Sequence, residues 1–380
     1  MLRWLLLVVV VSGLCLALLT RWRVPDGWPW QLAVLAGEFG HWLAVVTVAG
    51  GLAGWLARGE ATVLGATTLA VGVAGTALFL IPAWQAARLA RELPARLQAE
   101  FPRGAAGGPA FSVTSLYLGR DPAPVDVRTL PVSPDLPMDF YVPAPDAPEP
   151  RGAPCVIVVH GGGWDSGDRK QLPQLNHWLA RRGYAVAAIS YRLAPAHRWP
   201  APREDVTAAI AFLRAQAKEL GIDPERLVLL GRSAGGQIAQ ATGYTTAARA
   251  VRGVIGLYAP SDLIFGYVNT HEDDMLRSPA LMRQFLGGGP EEARAAYESA
   301  SALYHVRPDT PPTLLLHGTN DALVWYRHSV RLAERLEAQD VRHAFVHLPW
   351  ATHAFDYNLH GPGGQLTRFA LEWFLADVMR

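Results

Sequence analysis

The charged residues of this 380-residue chain are distributed so unevenly that two regions of different character are predicted. Charged residues make up 18% of the chain, whereas roughly 25% is usual for soluble domains. The deficit is concentrated in the first 87 residues, whose charged side chains are Arg3, Arg21, Arg23, Asp26, Glu38, Arg58 and Glu60. A segment this apolar predicts a helical membrane region over residues 1–87, followed by a soluble domain.

Three apolar stretches within that region predict three transmembrane helices, at residues 4–20, 32–56 and 61–84. A helix needs about 20 apolar residues to cross the hydrocarbon core. The first stretch is short enough to fit a signal-peptide core as well, but no small-x-small cleavage motif precedes Arg21, which favours an uncleaved helix. Glu38 and His41 lie on one face of the second stretch and are interpreted as a pair near the membrane interface.

The arginines beside these stretches predict an orientation for a multi-pass protein of the cell membrane. The N-terminus and second loop hold Arg3 and Arg58, whereas the first loop and the segment after the third span hold Arg21, Arg23, Arg88, Arg91, Arg96 and Arg103. The positive-inside tendency therefore favours a cytoplasmic soluble domain. Residues 88–109 are predicted to form a short basic helix and a Pro/Gly linker.

Several classes of partner and cofactor are disfavoured by the composition. The formal net charge is +1, without the basic excess of a nucleic-acid-binding domain. Cys15 and Cys155 both fall in apolar runs, which is typical of buried thiols rather than of a disulfide. The Cys and His residues do not have the spacing of zinc ligands, so no metal and no cofactor are expected.

Residues 110–380 alternate between short apolar runs and amphipathic stretches. Runs typical of buried parallel strands lie at residues 155–160, 185–190, 227–231, 254–258, 313–317 and 344–348, and edge strands are predicted at 112–118 and 138–142. Helical patterns lie at residues 171–182, 203–219, 235–242, 325–338 and 365–378. This alternation predicts an α/β domain with helices on both faces of one sheet. Residues 261–304 interrupt the alternation and are predicted to form a lid over the site.

The segment LVLLGRSAGG, residues 227–236, carries the most specific signal for chemistry. It places G-x-S-x-G directly after an apolar strand and directly before a helix, which is the context of a nucleophile elbow. The glycines remove Cβ atoms that would collide in so tight a turn. Ser233 is therefore predicted to be a nucleophile.

A serine hydroxyl needs a general base to become an effective nucleophile. His353 lies in a loop after the last predicted strand, and Asp321 lies in a loop after the strand before it, which gives the order serine, acid, histidine. Four other histidines compete less well, because they fall inside strands or lack such a loop: His317, His343, His347 and His360. Asp356 and Asp309 stay open as alternatives for the acid.

The glycine run HGGGW, residues 160–164, follows the first buried strand and predicts an oxyanion hole. The expected donors are the backbone N–H groups of Gly162, Gly163 and Ala234. A phosphate-binding loop is disfavoured, since the run lacks the G-x-x-x-x-G-K-[ST] pattern.

Six separated motifs resemble those of the hormone-sensitive-lipase-like and feruloyl-esterase-like carboxylesterases of the α/β-hydrolase superfamily. They are HGGGW at 160–164, SYRLAP at 190–195, PAPRED at 200–205, GRSAGG at 231–236, HGTND at 317–321 and HAF at 353–355. The resemblance implies an α/β-hydrolase fold with a mostly parallel eight-stranded sheet, and a triad of Ser233, Asp321 and His353. It also implies that Trp164 and Tyr191 contact the substrate.

Two positions depart from the family pattern without removing a reacting group. Ala196 stands where an acidic residue often follows Ala-Pro, and Thr352 stands where glycine often precedes the histidine. The sequence thus predicts a membrane-anchored serine carboxylesterase for short-chain or lipidic esters, and it leaves the oligomeric state open. The alternatives are an amidase, formamidase or peptidase with the same triad, a non-catalytic ligand-binding homologue, and a membrane scaffold with an idle hydrolase domain.

Overall fold

The computed structural model describes residues 1–24, 27–145, 152–245 and 250–380. Its helices are α1 (Leu2–Leu18), α2 (Gly27–Glu38), α3 (Gly40–Leu56), α4 (Thr62–Glu100), α5 (Val113–Leu118), α6 (Pro173–Arg181), α7 (Ala201–Ala215), α8 (Ala217–Leu220), α9 (Ala234–Thr245), α10 (Leu263–Val268), α11 (Ser278–Leu286), α12 (Arg294–Ala300), α13 (Arg327–Glu337) and α14 (Pro362–Val378). Its strands are β1 (Val127–Ser133), β2 (Leu136–Tyr141), β3 (Ala153–Val159), β4 (Ala185–Ile189), β5 (Ile222–Arg232), β6 (Gly253–Leu257), β7 (Thr313–Gly318) and β8 (His343–Leu348).

One eight-stranded sheet, in the order β1-β2-β4-β3-β5-β6-β7-β8, forms the centre of the α/β domain. The pairs β1–β2 and β2–β4 are antiparallel, and every pair from β4 to β8 is parallel. The predicted mostly parallel eight-stranded sheet is confirmed. Its central strands contain continuous apolar runs because helices cover both faces.

The side chains of β3 show how the two faces are filled. Successive strand residues point to opposite faces. Ile157 and Val159 belong to one buried cluster, and Val156 and Val158 belong to the other. Helices α7 and α9 contribute to the first cluster, whereas α6 and α14 contribute to the second.

Helix α4 corrects the prediction of a membrane span followed by a separate basic helix and linker. It runs unbroken through the predicted boundary at residue 87, with Pro82 and Pro94 inside it. Leu93, Leu97 and Phe101 are buried in the same cluster as α6 and α14. The apolar spacing of four residues between the leucines gives this half of α4 a face that packs on the hydrophobic core, and that packing overrides the helix-breaking tendency of proline.

Two further predictions of secondary structure are wrong. Residues 112–118 form helix α5 rather than a strand, and the Ser112 side chain caps it by accepting a hydrogen bond from the Ser115 N–H at 3.2 Å. Residues 32–56 form two helices, α2 and α3, which meet at an angle of 85°. A single straight span over residues 32–56 is therefore not present.

Helices α1, α3 and α4 pack against one another through small residues. The backbones of α3 and α4 approach so closely at Gly51 and Gly72 that a Cβ on Gly72 would lie 2.9 Å from the Gly51 Cα. By length and composition, α4 is the one helix in the described ranges that is long and apolar enough to cross a membrane by itself. The bent pair α2–α3 passes the same test if it counts as one broken span, and α1 is apolar but shorter.

Candidate active site

Ser233 lies between the end of β5 and the beginning of α9, in the strand, turn and helix that its motif predicts. Its φ angle is 52°, in the left-handed region that few residues with a side chain adopt. A Cβ on Gly231 would overlap the Gly235 carbonyl, and a Cβ on Gly235 would overlap the His160 carbonyl. Both positions therefore require glycine if the turn is to hold Ser233 at the carboxyl end of β5.

Asp321 and His353 come together from the loops that follow β7 and β8. His353 Nδ1 lies 2.7 Å from Asp321 Oδ2, and Asp321 Oδ1 accepts the backbone N–H groups of Leu323 and Val324 at 2.9 Å each. Burial raises the pKa of Asp321. The charge of His353 and the hydrogen bonds from His317 and His353 lower it by more than burial raises it, so the pKa lies well below its usual value. The carboxylate is ionised and can only accept, so Nδ1 of His353 carries the proton and Nε2 is left as the basic nitrogen.

His317, a predicted competitor for the base, instead supports the acid. Its Nε2 lies 3.1 Å from Asp321 Oδ2 and 2.9 Å from the Val324 carbonyl oxygen. Its Nδ1 lies 2.8 Å from Ser329 Oγ. The other competitors lie elsewhere: His343 and His347 in β8, and His360 beside Ser115.

The two alternative acids are paired with other groups. Asp356 lies 2.6 Å from Arg232 Nε and accepts the Tyr258 hydroxyl at 2.6 Å, in a fully buried network. Asp309 is exposed and pairs with Arg307. Sequence reasoning missed the Arg232–Asp356 pair, whose members are 124 positions apart.

The predicted oxyanion donors line the same cavity as Ser233. Gly162 and Gly163 have φ angles of 124° and 62°, and a Cβ on Gly162 would overlap the Ser166 carbonyl. A Cβ on the preceding Gly161 would lie 3.3 Å from Ser233 Cβ, so the glycine run abuts the turn. Ala234 is the first residue of α9, where backbone N–H groups lack an intrahelical partner. Gly162, Gly163 and Ala234 line the same cavity as Ser233 and His353.

Of the two predicted substrate contacts, the structure places one in this cavity. Trp164 lines it, stacks on Phe285 with ring centroids 4.8 Å apart, and donates to Gln237 Oε1 at 2.8 Å. Tyr191 lies behind the glycine run, where it stacks on His160 and donates to the His160 carbonyl at 3.3 Å. Tyr191 follows β4, which neighbours β3, so its ring packs beneath the loop after β3 and not in the cavity.

The cavity has a volume of about 620 Å³ and mostly apolar walls. Helices α10 and α11, within the predicted lid, supply Leu263, Phe265, Leu281 and Met282. Across the described parts of the chain, no group of three or more His, Cys, Asp or Glu side chains is arranged to hold a metal ion.

The sheet order and the strand–turn–helix at Ser233 define the class of protein as an α/β-hydrolase. Residues 138–336 match the model of the family BD-FAE. The chain belongs to this family. The matched range includes Ser233 and Asp321 and ends before His353.

Individual relatives and solved structures agree with that assignment. The chain is 29% identical over 250 residues to "Probable carboxylic ester hydrolase LipM" and 31% identical over 247 residues to "Esterase LipC", both of Mycobacterium tuberculosis (strain ATCC 25618 / H37Rv). These alignments cover 62% and 60% of this chain, and 56% and 60% of the two relatives, so the chain spans little more than half of their length. The solved structure "Bacterial Heroin Esterase" is 25% identical with a TM-score of 0.55, over 65% of this chain and 84% of its own.

Proposed function

We propose that this protein is a membrane-anchored serine carboxylesterase that hydrolyses carboxylic esters through an acyl-enzyme. The observation that carries the proposal is that Ser233 and His353 line the same cavity, and that His353 Nδ1 lies 2.7 Å from the buried Asp321 carboxylate. That arrangement provides a nucleophile, a base whose tautomer is fixed, and an ionised partner for the imidazolium. The esterase names of the relatives supply the chemical class.

In the proposed mechanism, Ser233 Oγ attacks the ester carbonyl carbon while His353 Nε2 takes the hydroxyl proton. The negative charge that develops on the carbonyl oxygen is stabilised by the N–H groups of Gly162, Gly163 and Ala234. Removal of one such donor typically costs about 3–4 kcal/mol of transition-state stabilisation. The imidazolium then protonates the departing alcohol, and the acyl group is left on Ser233.

Water completes the cycle. His353 takes a proton from the water molecule as its oxygen attacks the acyl-enzyme, and it returns that proton to Ser233 Oγ as the carboxylic acid leaves. Asp321 keeps its charge throughout and holds the imidazole in the tautomer that presents Nε2. The network of Arg232, Asp356 and Tyr258 packs behind this site, with the Tyr258 ring centroid 4.3 Å from that of His353.

Membrane anchoring is the second part of the proposal. Helices α1, α3 and α4 bury glycine and threonine at their contacts and expose large apolar side chains, among them Trp4, Val46 and Val63. Such an arrangement is typical of helices in lipid. Arg88 and Arg91 follow the apolar part of α4, so the hydrolase domain lies on the cytoplasmic side of a multi-pass protein of the cell membrane. Proteinase K added to intact cells should then leave the hydrolase domain whole, and its digestion would contradict this orientation.

Esterase activity is tested with paired substrates. Full-length protein in detergent should hydrolyse p-nitrophenyl butyrate much faster than p-nitrobutyranilide, and Ser233→Ala should abolish both activities. Thr207→Ala, which removes an exposed hydroxyl on α7, serves as the control and should keep wild-type rates. A faster anilide reaction would favour an amidase, and activity of Ser233→Ala at the wild-type rate would refute the proposed nucleophile.

A further inference from the structure

The cavity at Ser233 is not built by the hydrolase domain alone. Arg23, in the connection between α1 and α2, and Trp30, in the first turn of α2, also line it. The Arg23 guanidinium lies 5.8 Å from the centroid of the Trp325 ring, and Trp325 lines the cavity too. Arg23 and Trp30, both from the N-terminal helical region, thus form part of the cavity wall.

Contacts on both sides of Arg23 and Trp30 attach this part of the chain to the loops near Ser233. Before Arg23, the Thr20 carbonyl accepts a hydrogen bond from the Asn320 side chain at 3.2 Å, next to Asp321. At the far end of α2, the buried Glu38 carboxylate accepts the Gly363 N–H at 2.8 Å and the Trp350 Nε1–H at 3.3 Å. The predicted pairing of Glu38 with His41 is thus replaced by bonds to the hydrolase domain. The wall that Arg23 and Trp30 provide is held in place by these contacts.

Arg23 and Trp30 lie at the level where the proposed membrane helices end. Trp22 and Trp28, close to them in the sequence, are 53% and 72% exposed. Trp42 near the beginning of α3 and Trp84 in α4 are 48% and 61% exposed. Ala17 and Ala36 near the ends of α1 and α2, Ala44 near the beginning of α3 and Phe79 within α4 form one buried cluster, so these parts of the four helices lie together. Exposed tryptophans at the ends of apolar helices mark the membrane interface.

The chemistry of the cavity suits an acyl chain. Its volume of about 620 Å³ falls within the roughly 300–1,000 Å³ of sites that enclose small ligands. Apolar side chains from α10, α11 and the loop after β7 dominate its walls. Of the charged side chains, Arg23 and Asp165 lie at exposed positions, and Arg232 is buried and paired with Asp356. Trp30 adds an aromatic ring to these walls.

We propose that the substrate is a membrane-resident lipid ester whose acyl chain enters the Ser233 cavity at the bilayer interface, past an entrance formed by Arg23 and Trp30. The proposal rests on ester hydrolysis at Ser233. Membrane anchoring then has a direct consequence for specificity, because the anchor itself supplies a wall of the acyl site.

The test compares two esters with full-length protein in phosphatidylcholine vesicles. One is p-nitrophenyl decanoate dissolved in the bilayer, and the other is p-nitrophenyl acetate in water. Trp30→Ala should lower kcat/KM for the decanoate about tenfold, equivalent to about 1.4 kcal/mol, and should leave the acetate within about twofold of wild type. Trp28→Ala is the matched control, since Trp28 is exposed on the same helix and does not line the cavity.

Further measurements separate the possible failures. Trp30→Phe keeps an aromatic ring in the wall and should recover most of the decanoate activity, and fluorophosphonate labelling of Ser233 at the wild-type rate should show that Trp30→Ala retains an intact site. Equal losses of activity on both esters in Trp30→Ala would contradict the proposal that Arg23 and Trp30 form the entrance for the acyl chain. Equal losses of decanoate activity in Trp28→Ala and Trp30→Ala would contradict it as well. A wild-type protein that hydrolyses neither ester and takes up no label would instead refute the esterase itself.

Discussion

The N-terminal helices and the hydrolase domain place opposite kinds of side chain in their interiors. Where α3 meets α4, Gly51 faces Gly72 and Gly54 faces Thr68, while large side chains such as Leu56 point outward. In the hydrolase domain the large apolar side chains are inside, as in β3, where every residue is buried.

The proposed membrane anchor predicts this difference, because the helices then fold in lipid and the hydrolase domain folds in water. In water, burial of apolar surface drives folding, so large apolar side chains fill the core. In lipid that driving force between helices is absent, and close backbone contact between small residues takes its place. Helix α4 follows both rules in turn: Gly72 and Gly75 face its neighbours in the first half, and Leu93 and Leu97 are buried in the hydrolase core in the second.

The largest expected effect concerns the carboxylate of Asp321, which is buried inside the hydrolase domain. Asp321→Asn should keep the fold but lower kcat on p-nitrophenyl butyrate about 10⁴-fold, because the amide no longer holds the His353 tautomer. Asp309→Asn, at an exposed aspartate paired with Arg307, is the control and should keep its activity. A loss of less than tenfold in Asp321→Asn would exclude Asp321 as the partner of the base.

Loss of volume should damage the hydrolase core. Leu97→Ala should lower the free energy of unfolding by about 2–5 kcal/mol, because it leaves a cavity where Leu97 is fully buried. Urea unfolding of the detergent-solubilised protein, followed by tryptophan fluorescence, measures the change. Unchanged stability would show that the second half of α4 does not belong to this core.

In the N-terminal helical region, by contrast, a larger side chain at a helix contact should lower the stability. Gly72→Leu should cost about 1–3 kcal/mol, since a Cβ there would lie 2.9 Å from the Gly51 Cα and 3.0 Å from the Thr47 carbonyl oxygen. Val73→Leu, at an exposed neighbouring position, should be neutral. Thermal unfolding in detergent provides the comparison, and equal effects of the two variants would contradict the packing of α3 on α4.

The smallest effect is a pH dependence confined to the hydrolase domain. Burial, followed by the charges of His317 and Arg331, lowers the pKa of His328 from 6.5 to about 3. Below pH 6.5 the unfolded state therefore binds more protons, and the domain should lose about 1–2 kcal/mol of stability between pH 7 and pH 5. His328→Gln should flatten this dependence, whereas His197→Gln at an exposed site should not. An unchanged slope in His328→Gln would assign the dependence to another group.

The parts of the fold that the sequence predicts are those decided by local pattern. The central strands contain continuous apolar runs, because both faces of the sheet are covered. The errors arise where tertiary packing decides: residues 112–118 alternate like a strand and form α5, and residues 88–100 extend α4 because Leu93 and Leu97 find a core to pack on.

In the candidate site, too, some features are predicted by local motifs and others depend on tertiary packing. Ser233 and the glycine run are carried by motifs whose strand, turn and helix surround them in the sequence. The position of Tyr191 behind the loop depends on the neighbouring strand, and the support of Asp321 by His317 depends on side-chain direction. Trp30 and Ser233 line the same cavity but lie about two hundred residues apart in the sequence, so no local pattern predicts that they come together.

The central claim is most directly tested by mapping the adduct of a fluorophosphonate probe on the full-length protein in native membranes. Peptide mass spectrometry should place a single adduct on Ser233, with labelling blocked by an excess of ester substrate and absent from Ser233→Ala. An adduct on another serine, or a wild-type protein that takes up no probe while it remains folded, would contradict the account.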